Sequence, residues 1–94
     1  MTVVRVAIYP VDAARIDELR RSVDDELIPL YRQWPGFESL VIANAGHEVI
    51  SVSRWDTVEH AEQGSRVAID WANHAPQSTG PPTLVRIGEE MNST

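Results

Sequence analysis

Five residues along one stretch, His60, Gly64, Val67, Trp71 and His74, recur at spacings of 4, 3, 4 and 3, which places them on one face if the stretch is helical. Two imidazoles on that face are groups that titrate near pH ~6.5 and can trade protons close to neutrality, so His60 and His74 are candidate bases. Trp71 offers an aromatic wall and Val67 an aliphatic one. Glycine inside a helix costs about 1 kcal/mol against alanine, so Gly64 calls for a reason. One reason is space: a flat aromatic or apolar ligand could lie between this helix and a sheet, flanked by Trp71 and His74. The other is close packing of helix on sheet, with the histidines at the margins. Tyr9, Asn44 and Arg54 could orient a ligand's oxygens if they face inward. Each also has a plainer role: Tyr9 as a core wall, Asn44 as part of a hairpin, Arg54 as the partner of an acid at an interface. His47 sits in a turn and is expected in solvent.

These groups need a scaffold, and the hydrophobic pattern supplies one. Thr2 to Tyr9 is valine-rich and weakly alternating, like a strand covered on both faces. Val3, Arg5, Ala7 and Tyr9 share one face, and Val4, Val6 and Ile8 the other. Pro10 ends it, and Asp12 is a suitable N-cap for a helix. Ile16, Leu19, Val23, Leu27 and Leu30 then form a helical stripe, with a kink or looser turn expected at Pro29. Trp34-Pro35-Gly36 stops this helix. Phe37 to Asn44 reads as a strand with Leu40 and Ile42 on one side and Phe37, Val41 and Ala43 on the other. Ala45-Gly46-His47 is a hairpin turn, and Glu48 to Trp55 the returning strand. Asp56-Thr57-Val58-Glu59 reads as a capping box with Asp56 as the cap. A second helix runs from Val58 to about Ala75, where Pro76 ends it. Gln77 to Pro82 is a polar loop, Thr83 to Ile87 a last strand, and Glu89 to Thr94 a tail. The order β-α-β-β-α-β predicts a ferredoxin-like α+β fold, an antiparallel sheet with two helices on one face. Its other face is apolar too. A monomer leaves that face bare, so face-to-face pairing of two sheets into a homodimer is expected.

The chain has 94 residues, one domain's worth, read as a single domain over 1–94. A net charge of −6, with all eight basic residues arginine and scattered, argues against a nucleic-acid partner. There is no cysteine, which excludes disulfides, thiolate metal sites and a cysteine nucleophile. His60 and His74 lie fourteen residues apart, too far to chelate one metal from a single helix, and no metal site is expected. The apolar start is too short to span a membrane and lacks a signal peptide's features, so a cytoplasmic location without membrane contact is the expectation. Phosphate loops, G-x-S-x-G and H-E-x-x-H are absent.

Pro35-Gly36-Phe37 opening the second strand, and Trp55-Asp56-Thr57 with Glu59 opening the second helix, resemble the antibiotic biosynthesis monooxygenase family of dimeric α+β barrels. The likeness in element order spans residues 2–88. It implies a dimeric barrel and an activity among cofactor-independent monooxygenases of quinols and polyketide phenols, haem-degrading enzymes or members without known activity. The haem-degrading pattern has an asparagine on strand one, a tryptophan midway along helix two and a haem-ligating histidine near that helix's end. These positions fall near Ala7, Gly64 and His74, so two of three differ and haem degradation is disfavoured, with haem binding through His74 a lesser alternative. The resemblance thus points to an oxidoreductase that oxygenates a small aromatic without cofactor. Such chemistry needs a base to make the phenolate (His74 or His60), groups to hold its oxygens (Tyr9, Asn44, Arg54) and a dry apolar box (Trp71, Gly64, Val67). The alternative is a non-catalytic ligand-binding or regulatory module on the same fold.

Overall fold

The first strand, β1 (Val3–Pro10), alternates strictly: Val3, Arg5, Ala7 and Tyr9 are buried and the residues between them half-buried. In the computed structural model, which describes residues 1–94, it lies between β3 (Glu48–Trp55) and β4 (Leu84–Glu89), antiparallel to both. Adding β2 (Phe37–Asn44) gives the sheet order β2-β3-β1-β4. With the helices on one face, this is the ferredoxin-like architecture the element order predicts.

A 3-10 turn (Ala13–Arg15) leads into α1 (Ile16–Ser22), a π-helical turn (Val23–Leu27) and α2 (Ile28–Arg32), together the first helical arm. The looser turn expected around Pro29 is the π turn, closed by the Ile28 N–H donating to the Val23 carbonyl, five residues back. Pro29 then sits in the first turn of α2, where its missing N–H costs little. The wider turn also shifts the buried face. Leu19, Val23, Leu27 and Tyr31, each four apart, are buried, and Tyr31 takes the place expected of Leu30.

Two local expectations are corrected. Phe37 pairs with Trp55 and Ser39 with Arg54, so a bulge between them turns Phe37 to the same face as Leu40 and Ile42 rather than that of Val41 and Ala43. The cap of α3 (Val58–His74) is Thr57, whose hydroxyl accepts from the His60 N–H at 3.1 Å. Asp56 instead takes the His60 imidazole, Oδ1 to Nδ1 at 2.6 Å. The hairpin forms as expected: Gly46 has φ +88°, which glycine tolerates, and the Asn44 side chain accepts from its N–H.

The core lies between the sheet and the helices. Helix α3 approaches closely through Ala61, Gly64, Ser65, Ala68 and Ala72. On the far face Val4, Val6 and Ile8 stand opposite Arg54, Val52 and Ile50, with Leu84 beside Ile8. Val41, next to Val52, is 63% exposed.

Candidate functional site

At the Trp55 end of the interior, three rings close on one another. The Tyr31 centroid is 5.3 Å from Phe37 and 5.2 Å from Trp55, and Phe37 and Trp55 are 5.5 Å apart, within the range where aromatic pairs attract. Trp55 is fully buried and donates Nε1–H to Ser53 Oγ at 2.9 Å. Gly64 of α3 lies against this indole, so a Cβ there would overlap the ring. The space expected beside Gly64 is therefore filled by Trp55, and the glycine serves close packing. Gly36 is fitted in the same way: its φ is +80°, its carbonyl accepts from the Asp56 N–H at 3.0 Å, and a Cβ would meet the Asp56 carboxylate and His60 ring. Pro35-Gly36-Phe37 and Trp55-Asp56-Thr57 are thus one physical junction. His60 belongs to it rather than to a ligand cavity, and its hydrogen bond is the main cause holding the Asp56 carboxyl below the usual range.

Further along, the interior is looser. A cavity of about 40 Å³ lies between sheet and helices, walled by Tyr9 and Ser51 of the sheet, Val23 and Leu27 of the π turn, and Ala68 and Trp71 of α3. A groove of about 260 Å³ adjoins it, with Arg20, Asp24 and Asn44 among its lining. Leu19, Val23, Ile42 and Val49 belong to both walls. The cavity has room for a water or two; the groove approaches the volume of a small-ligand site.

Of the expected site residues, Tyr9 and Trp71 line the cavity and Asn44 the groove, although the Asn44 amide is engaged in the hairpin. Val67 packs at the margin of the core. Arg54 points from the opposite face of the sheet and pairs with Glu90 at 3.2 Å. His74 is 79% exposed, its Nδ1 2.8 Å from the Asp70 carbonyl, beside a shallow pocket of about 100 Å³ behind Trp71. That pocket is far too small for a porphyrin, so the residues here do not fit haem.

Arg5 is not among the site residues expected from the sequence. This side chain is fully buried, donates Nη2–H to Tyr9 Oη at 2.7 Å, and leaves Nε and Nη1 without an acceptor. The Tyr31 hydroxyl is equally buried and unpartnered. Burial pushes its phenol well up, opposed by the charge of Arg5 nearby. The signal was present: an arginine in the buried register of a valine strand, four residues before a tyrosine on the same face.

Next to Ala75 and Ser78 of the cavity wall, a clamp ties the first helical arm to the segment after α3. Arg15 donates to the Pro76 carbonyl at 2.8 Å and to Glu18 at 2.9 Å, and Gln77 donates to Glu18 at 3.1 Å. The Gln77 bond, then Arg15, hold the Glu18 carboxyl below its usual range.

No family model and no curated protein matches the chain. Solved structures do match. A monooxygenase from the gene ActVA-Orf6 of Streptomyces coelicolor, in complex with nanaomycin D, is 21% identical over 98% of this chain and 89% of its own, with a TM-score of 0.74. A protein from Bordetella bronchiseptica, described as an antibiotic biosynthesis monooxygenase, has a TM-score of 0.77 at 17% identity, over 97% of this chain and 98% of its own. The chain has the antibiotic biosynthesis monooxygenase fold. The haem degrader MhuD of Mycobacterium tuberculosis, with two haems in its active site, shares that fold at 18% identity and a TM-score of 0.72, over 98% of both chains. One fold therefore carries different ligands, and the site must decide among them. No helix is long and apolar enough to cross a membrane.

Proposed function

We propose that this chain is a cofactor-independent monooxygenase acting on a small aromatic, quinol or polyketide-like phenol. The observation that carries this reading is the interior beside the first helical arm, where a cavity walled by Tyr9, Ser51 and Trp71 shares its aliphatic walls with a larger groove. The groove would take the ring, and the smaller cavity is of a size for dioxygen. The balance closes without an external reductant. A phenolate gives electrons to dioxygen, a C–O bond forms at a ring carbon bearing hydrogen, and the O–O bond of the resulting peroxide breaks. One oxygen stays as the quinone carbonyl; the other leaves as water with the ring and hydroxyl hydrogens. Tyr9 would hold the substrate's oxygen where the groove meets the cavity, and Trp71 would be the aromatic wall of the cavity beyond it.

The test is oxygen uptake with a panel of quinols and naphthols, with no flavin or metal added. Uptake with quinone formation, reduced by about ten-fold or more in Tyr9→Phe, supports the reading, since positioned proton and hydrogen-bond partners contribute on that scale. A second reading, a non-catalytic binder on the same fold, is favoured by one observation: His74 is exposed, His60 is bound to Asp56, and no imidazole lines the cavity. Binding of the same compounds without uptake would select it.

The proposal includes a homodimer formed through the far sheet face, where Val4, Val6, Ile8, Ile50, Val52 and Leu84 lie together. Light scattering at micromolar concentration should give twice the chain mass. A stable monomer would leave this apolar face without a role.

A further inference from the structure

Arg5 is the one basic side chain placed in the core. The ion pairs that arginines do form, Arg15–Glu18, Arg20–Asp17 and Arg54–Glu90, involve partly or largely exposed groups. No acid lies within ion-pair distance of Arg5, and its only hydrogen bond is to the Tyr9 hydroxyl. A second copy docked on the far face of the sheet could not supply the missing acid, because Arg5 is on the helix side. Burying a guanidinium cation without a counter-charge opposes folding, and an apolar side chain of similar length would fill the same space at lower cost. The donor set around it is one-sided. Nε and Nη1 of Arg5 and the hydroxyl of Tyr31 are all buried and all lack an acceptor. Tyr9, which accepts from Arg5, also lines the cavity, so the guanidinium lies one hydrogen bond from the cavity wall.

We infer that Arg5, with Tyr9 and Tyr31, forms a subsite for an anionic oxygen, and that the ligand is a planar aromatic bearing an acidic hydroxyl that is already ionised at neutral pH. This rests on the proposed oxygenase reading for its substrate class, and it also answers the weakness of that reading. With no imidazole at the cavity, the phenolate is not made by a histidine base; it is selected as the anion by a buried guanidinium. Arginine suits this role because its rigid fork gives several charge-assisted hydrogen bonds to one oxygen or a pair of oxygens. The access route is through the walls shared by cavity and groove, Leu19, Val23, Ile42 and Val49. Val23 belongs to the π turn, an irregular helical geometry frequent at functional sites.

The test uses two probes of nearly equal shape: lawsone, a hydroxynaphthoquinone that is an anion at neutral pH, and its uncharged O-methyl ether. Calorimetry on the wild-type chain should give binding of lawsone tighter than the ether by about ten-fold or more, the scale of one hydrogen bond to a charge. Arg5→Met should abolish that preference while melting at the same or a higher temperature than wild type. Tyr31→Phe, which leaves the charge in place, should weaken lawsone several-fold and the ether little, and it keeps the test open should Arg5→Met fail to fold. Equal or absent binding of lawsone by the wild type, a preference that survives Arg5→Met, or, should that variant not fold, a preference unchanged in Tyr31→Phe overturns the inference. Arginine-dependent lawsone binding without oxygen uptake on any phenol keeps the subsite and removes the oxygenase. Oxygen uptake that persists in Arg5→Met does the reverse.

Discussion

The two ends of the interior are built to opposite standards. At the Trp55 end the packing is closed, with the Tyr31 hydroxyl its one unpartnered group: the indole fills the space left by Gly64, the Asp56–His60 pair fills that left by Gly36, and the Trp55 N–H is hydrogen-bonded. Beside Tyr9 a cavity persists, and behind that tyrosine the buried Nε and Nη1 of Arg5 go unpaired. Proteins bury polar groups without partners at a cost in stability, and they keep such groups where a ligand completes them. The difference separates what defines the fold from what the fold carries. The motif residues that resemble those of the monooxygenase family sit at the closed end, which explains why they mark the architecture and say little about chemistry.

Breaking the closed end should have the largest effect. Trp55→Ala removes the largest fully buried side chain and the centre of the three-ring cluster. It should destabilise the fold by about 3–5 kcal/mol, read as a fall in the urea midpoint. In a domain of this size that is enough to unfold much of the population.

The next comparison adds carbon to α3 at both ends. Gly64→Ala would raise intrinsic helix propensity by about 1 kcal/mol on an open helix. Here the new Cβ must displace the Trp55 ring, so a net loss of about 1–3 kcal/mol is expected, as for overpacked cores. Ala72→Val adds bulk beside the cavity instead. Its stability should be unchanged or raised by about 0.5–1 kcal/mol, as cavity-filling changes often give, while affinity for aromatic ligands falls. Equal losses at both positions in chemical denaturation would show that the two ends are packed alike.

That contrast also shows where the sequence could be read and where it could not. Element order, the hairpin around Gly46, the looser turn near Pro29 and the end of α3 before Pro76 follow from periodicity and backbone chemistry, which are local. The face that α3 buries differs from the expected stripe by one position. His60, Val67 and Trp71 mark its conspicuous stripe, but Ala61, Ala68 and Ala72 make its contact with the sheet, a rotation of about 100°. Large apolar residues usually signal the core; here the backbone comes so near the sheet that only small residues fit between them, and the large ones move to the margin. The bulge after Phe37 was hidden for a related reason. It is set by the pairing with Trp55 across the sheet, not by anything within the strand. Arg5 was legible as an anomaly, but its lack of a partner depends on the whole tertiary surround.

The smallest expected effects come from the two carboxylates that tie the ends shut, and they sharpen the comparison because both are at the surface. Asp56 is held below the usual carboxyl range chiefly by the His60 hydrogen bond, and Glu18 chiefly by Gln77 and then Arg15. A folded value below the unfolded one means that each group adds stability fully present above the unfolded carboxylate range, near pH ~4, and lost as pH falls through the depressed folded value. The wild-type urea midpoint should therefore slope downward below about pH 4. Asp56→Asn and Glu18→Gln should each flatten part of that slope, modestly given the solvent exposure of both groups. They should differ in what they loosen. Glu18→Gln weakens a clamp that joins the first helical arm to Pro76 and Gln77, so hydrogen exchange at the backbone N–H groups of Asp12 and Thr79, which bond between the end of β1 and the same segment, should quicken at neutral pH. Asp56→Asn should leave those two amides protected. If both variants speed exchange there alike, the Glu18 clamp is not what holds the segment after α3 in place.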